Sequence, residues 1–205
     1  EGTDTGGDNS GIQFENAHNG TIINNTIITI GTSSEAIALY SSSNISILNN
    51  NLTAENGGGK GIEITSSSFN FISNNVIITF DANGEGIRIG GSGGSNSNKI
   101  FNNNINTSGT TAEGIRMRIG SSNIFINNSI VTSGSRSKGL EFGTGPSNNN
   151  SFINMIIKTL HETSNATVVE TGFHNFTITD SIVNALGAAG FDFSVENATG
   201  GEWNF

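Results

Sequence analysis

The sequence predicts an all-β solenoid, a single parallel β-helix of about eight turns with three short strands in each. Three observations predict it: a residue pattern that returns about every 25 positions, an apolar alternation of period two within each repeat, and an unusual composition. Charged residues make up 12 % of the chain, about half the usual share, while asparagine accounts for 32 residues and serine plus threonine for 47. Disordered chains share that polarity but lack apolar residues at regular places.

Each repeat opens with a small residue followed by apolar, any, apolar. The copies are Gly11-Ile12-Gln13-Phe14, Ala36-Ile37-Ala38-Leu39, Gly61-Ile62-Glu63-Ile64, Gly86-Ile87-Arg88-Ile89, Gly114-Ile115-Arg116-Met117, Gly139-Leu140-Glu141-Phe142, Ala166-Thr167-Val168-Val169 and Gly190-Phe191-Asp192-Phe193. Their spacings are 25, 25, 25, 28, 25, 27 and 24 residues. These are the first strands, and alternation at period two marks them as strands rather than helices.

A second landmark keeps step: Asn24, Asn49, Asn74, Asn102, Asn127 and Asn154, then Asp180. Two residues before each stands an apolar residue of the second strand (Ile22, Ile47, Ile72, Ile100, Phe125, Phe152, Ile178). Three residues after each stands one of the third strand (Ile27, Leu52, Ile77, Ile105, Ile130, Ile157, Val183). Gly, Ser, Asn and Thr separate the strands, as turns require. The repeats differ in length mainly between the first and second strands, as in Gly90-Gly91-Ser92-Gly93-Gly94-Ser95, so that turn tolerates loops. Residues 1–10 read as a lead segment and 11–205 as one β-helix, with no linker and no second domain.

This pattern resembles the right-handed parallel β-helix repeat of the pectin-lyase-like superfamily, over Gly11 to Phe193. The resemblance implies a right-handed coil. Its members include polysaccharide lyases, glycoside hydrolases, epimerases, tailspikes, adhesins and surface-layer proteins, so the fold alone selects no activity.

Candidate residues follow from the columns. The asparagines Asn24, Asn49, Asn74, Asn102, Asn127 and Asn154 are expected to point inward and bond from rung to rung, since an unpaired buried amide costs about 1–3 kcal/mol. Enzymes that resemble this fold place their substrate cleft on the outer face of the first strand. The resemblance therefore implies Glu63, Arg88, Arg116, Arg118 and Glu141 as active-site candidates. An arginine there would clamp a uronate carboxylate or act as base, and a glutamate would act as acid. The plain alternative is a stacked charge ladder on a solvated face, worth about 0.2–1 kcal/mol per pair of opposite charges. The preceding column (Glu35, Lys60, Glu85, Glu113, Lys138) also mostly alternates in sign.

Several function classes lack support. With 17 acidic against 8 basic residues and a net charge of −9, the chain has no clustered cations for nucleic acid. It has no cysteine and no apolar run long enough to span a membrane. The Asn-Thr-Asp, Asp-Asp, Gly-His-Gly and Arg-Ile-Lys motifs of polygalacturonases are missing, as are the clustered aspartates of pectate lyases. His18, His161 and His174 fall in three different turns without metal-ligand spacing. No cofactor is expected. Calcium alone finds oxygen donors in acidic turns, at Asp4 and Asp8 and at Asp81 and Glu85. Of ten Asn-x-Ser/Thr sequons, Asn44, Asn106, Asn165, Asn175 and Asn197 sit nearest turns and are the glycosylation candidates, whereas Asn24 and Asn127 are expected in the ladder.

Neither end reads as a cap. Trp203 and Phe205 alternate like a strand of an incomplete further turn, so one subunit's tail is expected to continue another's head, an open contact that makes filaments. A fragment of a longer β-helix would show the same ends. The expected function is an extracellular or cell-surface structural protein that assembles with itself into a filament, sheath or surface layer. The alternatives are a polysaccharide lyase or hydrolase and a glycan-binding adhesin using the first strand's outer face.

Overall fold

The computed structural model describes residues 9–172, 174–195 and 201–204, with Trp203 in its backbone alone. It is a parallel β-helix. Strands of successive turns pair in parallel to form three sheets of eight, eight and seven strands. The first rung comprises Ile12–Glu15, Thr21–Ile23 and Thr26–Thr29. Seven rungs supply all three sheets, and the eighth adds Phe193–Val195 and Trp203–Asn204 among the described residues. The described residues hold no helix.

The expected apolar columns are the core. Ile37, Ile62, Ile87, Ile115 and Leu140 stack along the first sheet, and Ile47, Ile72, Ile100, Phe125 and Phe152 along the second. All ten are fully buried, as are Leu52, Ile77, Ile105, Ile130 and Ile157 of the third sheet. Burying one such side chain contributes about 1.5–3 kcal/mol. The small residue before each first strand sits where the third sheet closes on the first. A Cβ on Gly86 would stand 2.3 Å from Ile105 Cγ2.

The asparagine column requires a correction. Asn24, Asn49, Asn74, Asn102, Asn127, Asn154 and Asp180 are exposed, and all adopt left-handed backbone with φ between 51° and 57°. Asparagine and aspartate tolerate that region better than other non-glycine residues, so this column makes the bend between the second and third strands. The internal ladder lies one residue later, at the buried Asn50, Asn75, Asn103 and Asn128, with the exposed Asn25 bonding onto its first rung. Asn50 Nδ2 donates to Asn75 Oδ1 at 3.0 Å, Asn75 to Asn103 at 2.9 Å and Asn103 to Asn128 at 3.0 Å. Each acceptor also takes a backbone N–H, as Asn103 Oδ1 does from Asn75. A second ladder, Asn70, Asn98, Asn123 and Asn150, ties the turn between the first and second sheets, with amide contacts of 3.0–3.1 Å.

The last repeat is also out of step with its expected alignment. Thr167 pairs with Phe193 and Val168 with Ser194. The small-residue position therefore falls on Asp192 rather than Gly190, and Val168's neighbour is Ser194. This restores the 12-residue gap from the landmark column, Asp180 to Asp192, that every earlier turn keeps, and Asp192 Oδ1 accepts the N–H of Ala185 at 2.6 Å.

Candidate functional site

On the outer side of the first sheet, the two charged columns form one network. Lys60 bridges Glu35 at 2.6 Å and Glu63 at 3.2 Å. Arg88 lies 3.8 Å from Glu63 and 3.7 Å from Glu85. Arg116 reaches Glu85 at 2.9 Å and Glu141 at 2.6 Å, and Lys138 joins Glu141 to Glu170. The chain of contacts spans rungs two to seven. Arg88 and Arg116 are direct cross-strand neighbours, and Glu85, pairing with both, offsets their repulsion.

This face differs from a solvated charge ladder. Glu35, Glu63, Glu85, Glu113 and Glu141 are all buried, at 0–8 % exposure, and so is Lys60. Burial raises a carboxyl's pKa and a nearby cation lowers it. At Glu63 burial pushes upward, but the charges of Lys60 and Arg88 overcome it and hold the carboxyl below its ordinary range. Burial works to lower Lys60 and Lys138, yet their carboxylate partners keep both above the usual lysine value. Arg116 is likewise held above its ordinary value by Glu141 and Glu85 against burial.

Glu113 is the exception. It sits on the rung between Glu85 and Lys138, has no ion pair among the described residues, and is 4 % exposed. Burial first, then the charges of Glu141 and Glu85, push its carboxyl up to about 8, with Arg116 and Lys138 pulling the other way. It therefore carries a proton at neutral pH.

Beside the network lies a cleft of about 380 Å³, lined among others by Glu63, Thr65, Arg88, Ser92, Arg118 and Thr144. Gly90 leaves room for Arg118 beside it, because a Cβ there would stand 2.9 Å from that of Arg118. The expected loop Gly90–Ser95 forms one wall and needs Gly91 and Gly94 at positive φ. Arg118 has no ion pair among the described residues. Of the implied active-site residues, Glu63, Arg88 and Arg118 meet at this cleft, whereas Arg116 and Glu141 lie in the network beyond it. Sequence reasoning missed the hydroxyls of Thr65, Ser92 and Thr144. It also placed Lys60, Glu113 and Lys138 on the surface, although the succession Glu85, Glu113 breaks the alternation of sign and marks an anomaly.

The other candidates scatter. Glu85 is engaged by two arginines, and Asp81 Oδ1 accepts the N–H of Ala82, so the pair does not converge on a cation. Asp4, Asp8, Asn197 and Phe205 lie outside the described residues. Trp203 belongs to a strand paired with His174–Thr179. Asn44 is exposed in a left-handed turn, Asn106 and Asn175 are half-exposed, and Asn165 accepts the N–H of Phe191. Asn24 and Asn127, expected to be buried, are exposed sequons.

Comparison with known proteins adds one family. Residues 2–142 match the family model described as periplasmic copper-binding protein (NosD). No curated protein matches. A solved structure, ORF18 of Geobacillus virus E2, is similar at 10 % identity and a TM-score of 0.22, over 95 % of this chain. The chain spans about half of that structure, 54 % of its length.

Copper takes imidazole and soft sulfur donors, and the residues do not supply such a set. His18 bonds Ser43, His161 bonds Thr163, and His174 is buried beside the ring of Phe142. Met117 and Met155 are buried in the core, and there is no cysteine. Among the described residues no three histidine, cysteine, aspartate or glutamate side chains converge.

Proposed function

Because the chain belongs to the NosD family, we propose that it works outside the cytosol, as a rigid β-helix that binds an anionic polysaccharide without cleaving it. The family's description as periplasmic supports the location. One observation carries the rest: the carboxylate lining the cleft, Glu63, is held in ion pairs by Lys60 and Arg88, while Arg118 faces the cleft unpaired and Arg88 only loosely paired. A glycosidase needs one carboxylic acid and one carboxylate free to act across the bond. The carboxylate lining the cleft, Glu63, is instead engaged by Lys60 and Arg88. A sugar carboxylate, by contrast, fits two guanidinium groups rimmed by hydroxyls.

The test is titration of the protein with an oligogalacturonate. Binding should weaken about tenfold in Arg118→Ala, the loss of roughly 1.4 kcal/mol, with no unsaturated product formed. No binding by the native chain would overturn the reading. Product that disappears in Arg88→Ala would replace it with the lyase.

A second reading, self-assembly into a filament, sheath or surface layer, is favoured by a different face. Along the outside of the third sheet and its bends, Ile28, Ile30, Phe80, Leu160, Ile182 and Leu186 are 48–65 % exposed. Such a row suits lateral contact between copies. The terminal contact through Trp203 and Phe205 is proposed alongside it. Electron microscopy across a concentration series separates the two, because Phe80→Lys would abolish lateral arrays and removal of residues 203–205 would abolish end-to-end ones. Isolated rods at every concentration would reject both.

A further inference from the structure

The turn that leads into the second sheet repeats a left-handed residue at Asn19, Asn44, Phe69, Ser97, Ser122 and Asn149, with φ between 54° and 61°. Asparagine and serine are at ease there, but a bulky aromatic is a strained choice. Phe69 is also 63 % exposed, so packing does not explain it. The chain's large buried rings (Phe125, Phe142, Phe152, Phe176) are all inside the coil.

Phe69 has company. Phe71, two residues on, is 39 % exposed and stands with its ring centroid 5.5 Å from that of Phe101, one rung further. Lys99, the cross-strand neighbour of Phe71, is exposed, and Ser46 flanks Phe71 on the other side. Phe101 pairs with Ser73, and the exposed amides of Asn74 and Asn102 follow in the adjoining bend. Phe69 and Phe71 both face outward on either side of the buried Asn70, so the outcome is a small aromatic surface bordered by hydrogen-bonding groups, at the turn into the second sheet and on that sheet.

We propose that Phe69, Phe71 and Phe101 form a stacking platform for a neutral sugar ring. The size of the surface selects the occupant. The exposed parts of Phe69 and Phe71 amount to on the order of 200 Å², far short of the roughly 800 Å² per partner of a stable protein interface. They match one or two pyranose rings. A pyranose presents axial C–H groups on one face, which complement the electron-rich face of an aromatic ring, and hydroxyls at its edge, which meet Lys99, Ser46 and Asn74. The strain at Phe69 then has a purpose, since it exposes a ring where asparagine would serve the fold better. The proposal shares with the cleft reading only the sugar class of its ligand.

The decisive variant is Phe69→Asn, which installs the residue that this column uses elsewhere. The probes are cellohexaose, chitohexaose and mannohexaose, with a galacturonate hexamer as the acidic comparison, read by NMR of the phenylalanine rings and by affinity. At least one neutral hexamer should shift the rings of Phe69, Phe71 and Phe101. Phe69→Asn should weaken that binding by about tenfold or more while its denaturation midpoint stays level or rises. Arg118→Ala should leave neutral-sugar binding unchanged and lose only the acidic hexamer, so failure of the cleft reading is seen separately. The proposal is overturned if no neutral hexamer perturbs the rings, or if Phe69→Asn binds as the native chain does. It is equally overturned if the native chain dimerises through this surface and Phe69→Asn is monomeric.

Discussion

Glu113 shows how one side chain can set the pH response of a whole sheet face. Its carboxyl is pushed up to about 8 in the folded chain, from an ordinary value near 4.5. Between those values the folded chain keeps a proton that the unfolded chain has lost. Stability therefore falls as pH rises through that window, by about 1.4 kcal/mol per pH unit for one proton, and levels off above it. Glu63 has the opposite sign: its lowered pKa contributes stability that is lost as pH falls below the ordinary carboxylate range. Glu113→Gln keeps the shape and supplies the neutral form permanently. Urea unfolding of this variant should show higher stability than the native chain at pH 9 and little difference at pH 4, and equal stability at pH 9 would refute the assignment. The sequence displayed the anomaly as two acids on successive rungs. It did not display the burial, because that depends on the interleaving of two columns that are separate in the text of the chain.

At the scale of the elements, the Asn-Asn pairs set the limit of what periodicity can decide. Both members of Asn74-Asn75 or Asn102-Asn103 recur with the same spacing, so the repeat identifies a bend without saying which amide faces inward. The backbone decides: the first residue takes positive φ and is turned to solvent, and the second is carried inside. The two should respond very differently to substitution. Asn103→Ala leaves the N–H groups of Asn75 without their acceptor and should cost about 1–3 kcal/mol. Asn102→Gly, with φ at 54°, should be close to neutral. Matched denaturation curves check this, and the reverse order would restore the first column as the ladder. The apolar columns were legible throughout, since only a periodic sequence can place isoleucine behind isoleucine. The final repeat was less so, because Gly190-Phe191-Asp192-Phe193 imitates the pattern two residues out of register; strand pairing exposes the shift, and the 12-residue gap from Asp180 to Asp192 agrees with it.

Over the whole molecule, charge is unevenly spent. Four of the eight basic residues (Lys60, Arg88, Arg116, Lys138) are tied into the first-sheet network, which leaves Lys99, Arg118, Arg136 and Lys158 on an otherwise acidic surface. Two of those four, Arg118 and Lys99, border the two proposed sugar sites. The architecture was readable from the sequence because a solenoid is a sum of neighbouring rungs, each announcing itself in the text. The cleft was only half readable: its charged residues and Thr65 lie in or beside the repeat strands, but the hydroxyls of Ser92 and Thr144 come from loops that the repeat does not govern. If rungs are near-equivalent units, removal of residues 61–85, one complete 25-residue turn, should leave a shorter folded β-helix. Circular dichroism should retain its β-signal with a cooperative melt. Removal of residues 61–72, half a turn, should abolish it, and a half-turn deletion that folds equally well would contradict the equivalence.

The asparagine ladders carry this further, into inheritance. An amide that bonds an identical amide above and below accepts any rung that brings the same residue at the same place. A duplicated or lost stretch of coding sequence is then harmless when its length equals a whole turn and ruinous otherwise. Met155, where the ladder of Asn25 to Asn128 meets a thioether instead of an amide, marks the one boundary in that ladder across which a copied turn would not fit seamlessly. Lineages carrying this repeat should therefore vary in length by steps, and the steps should accumulate on the asparagine side of such a boundary.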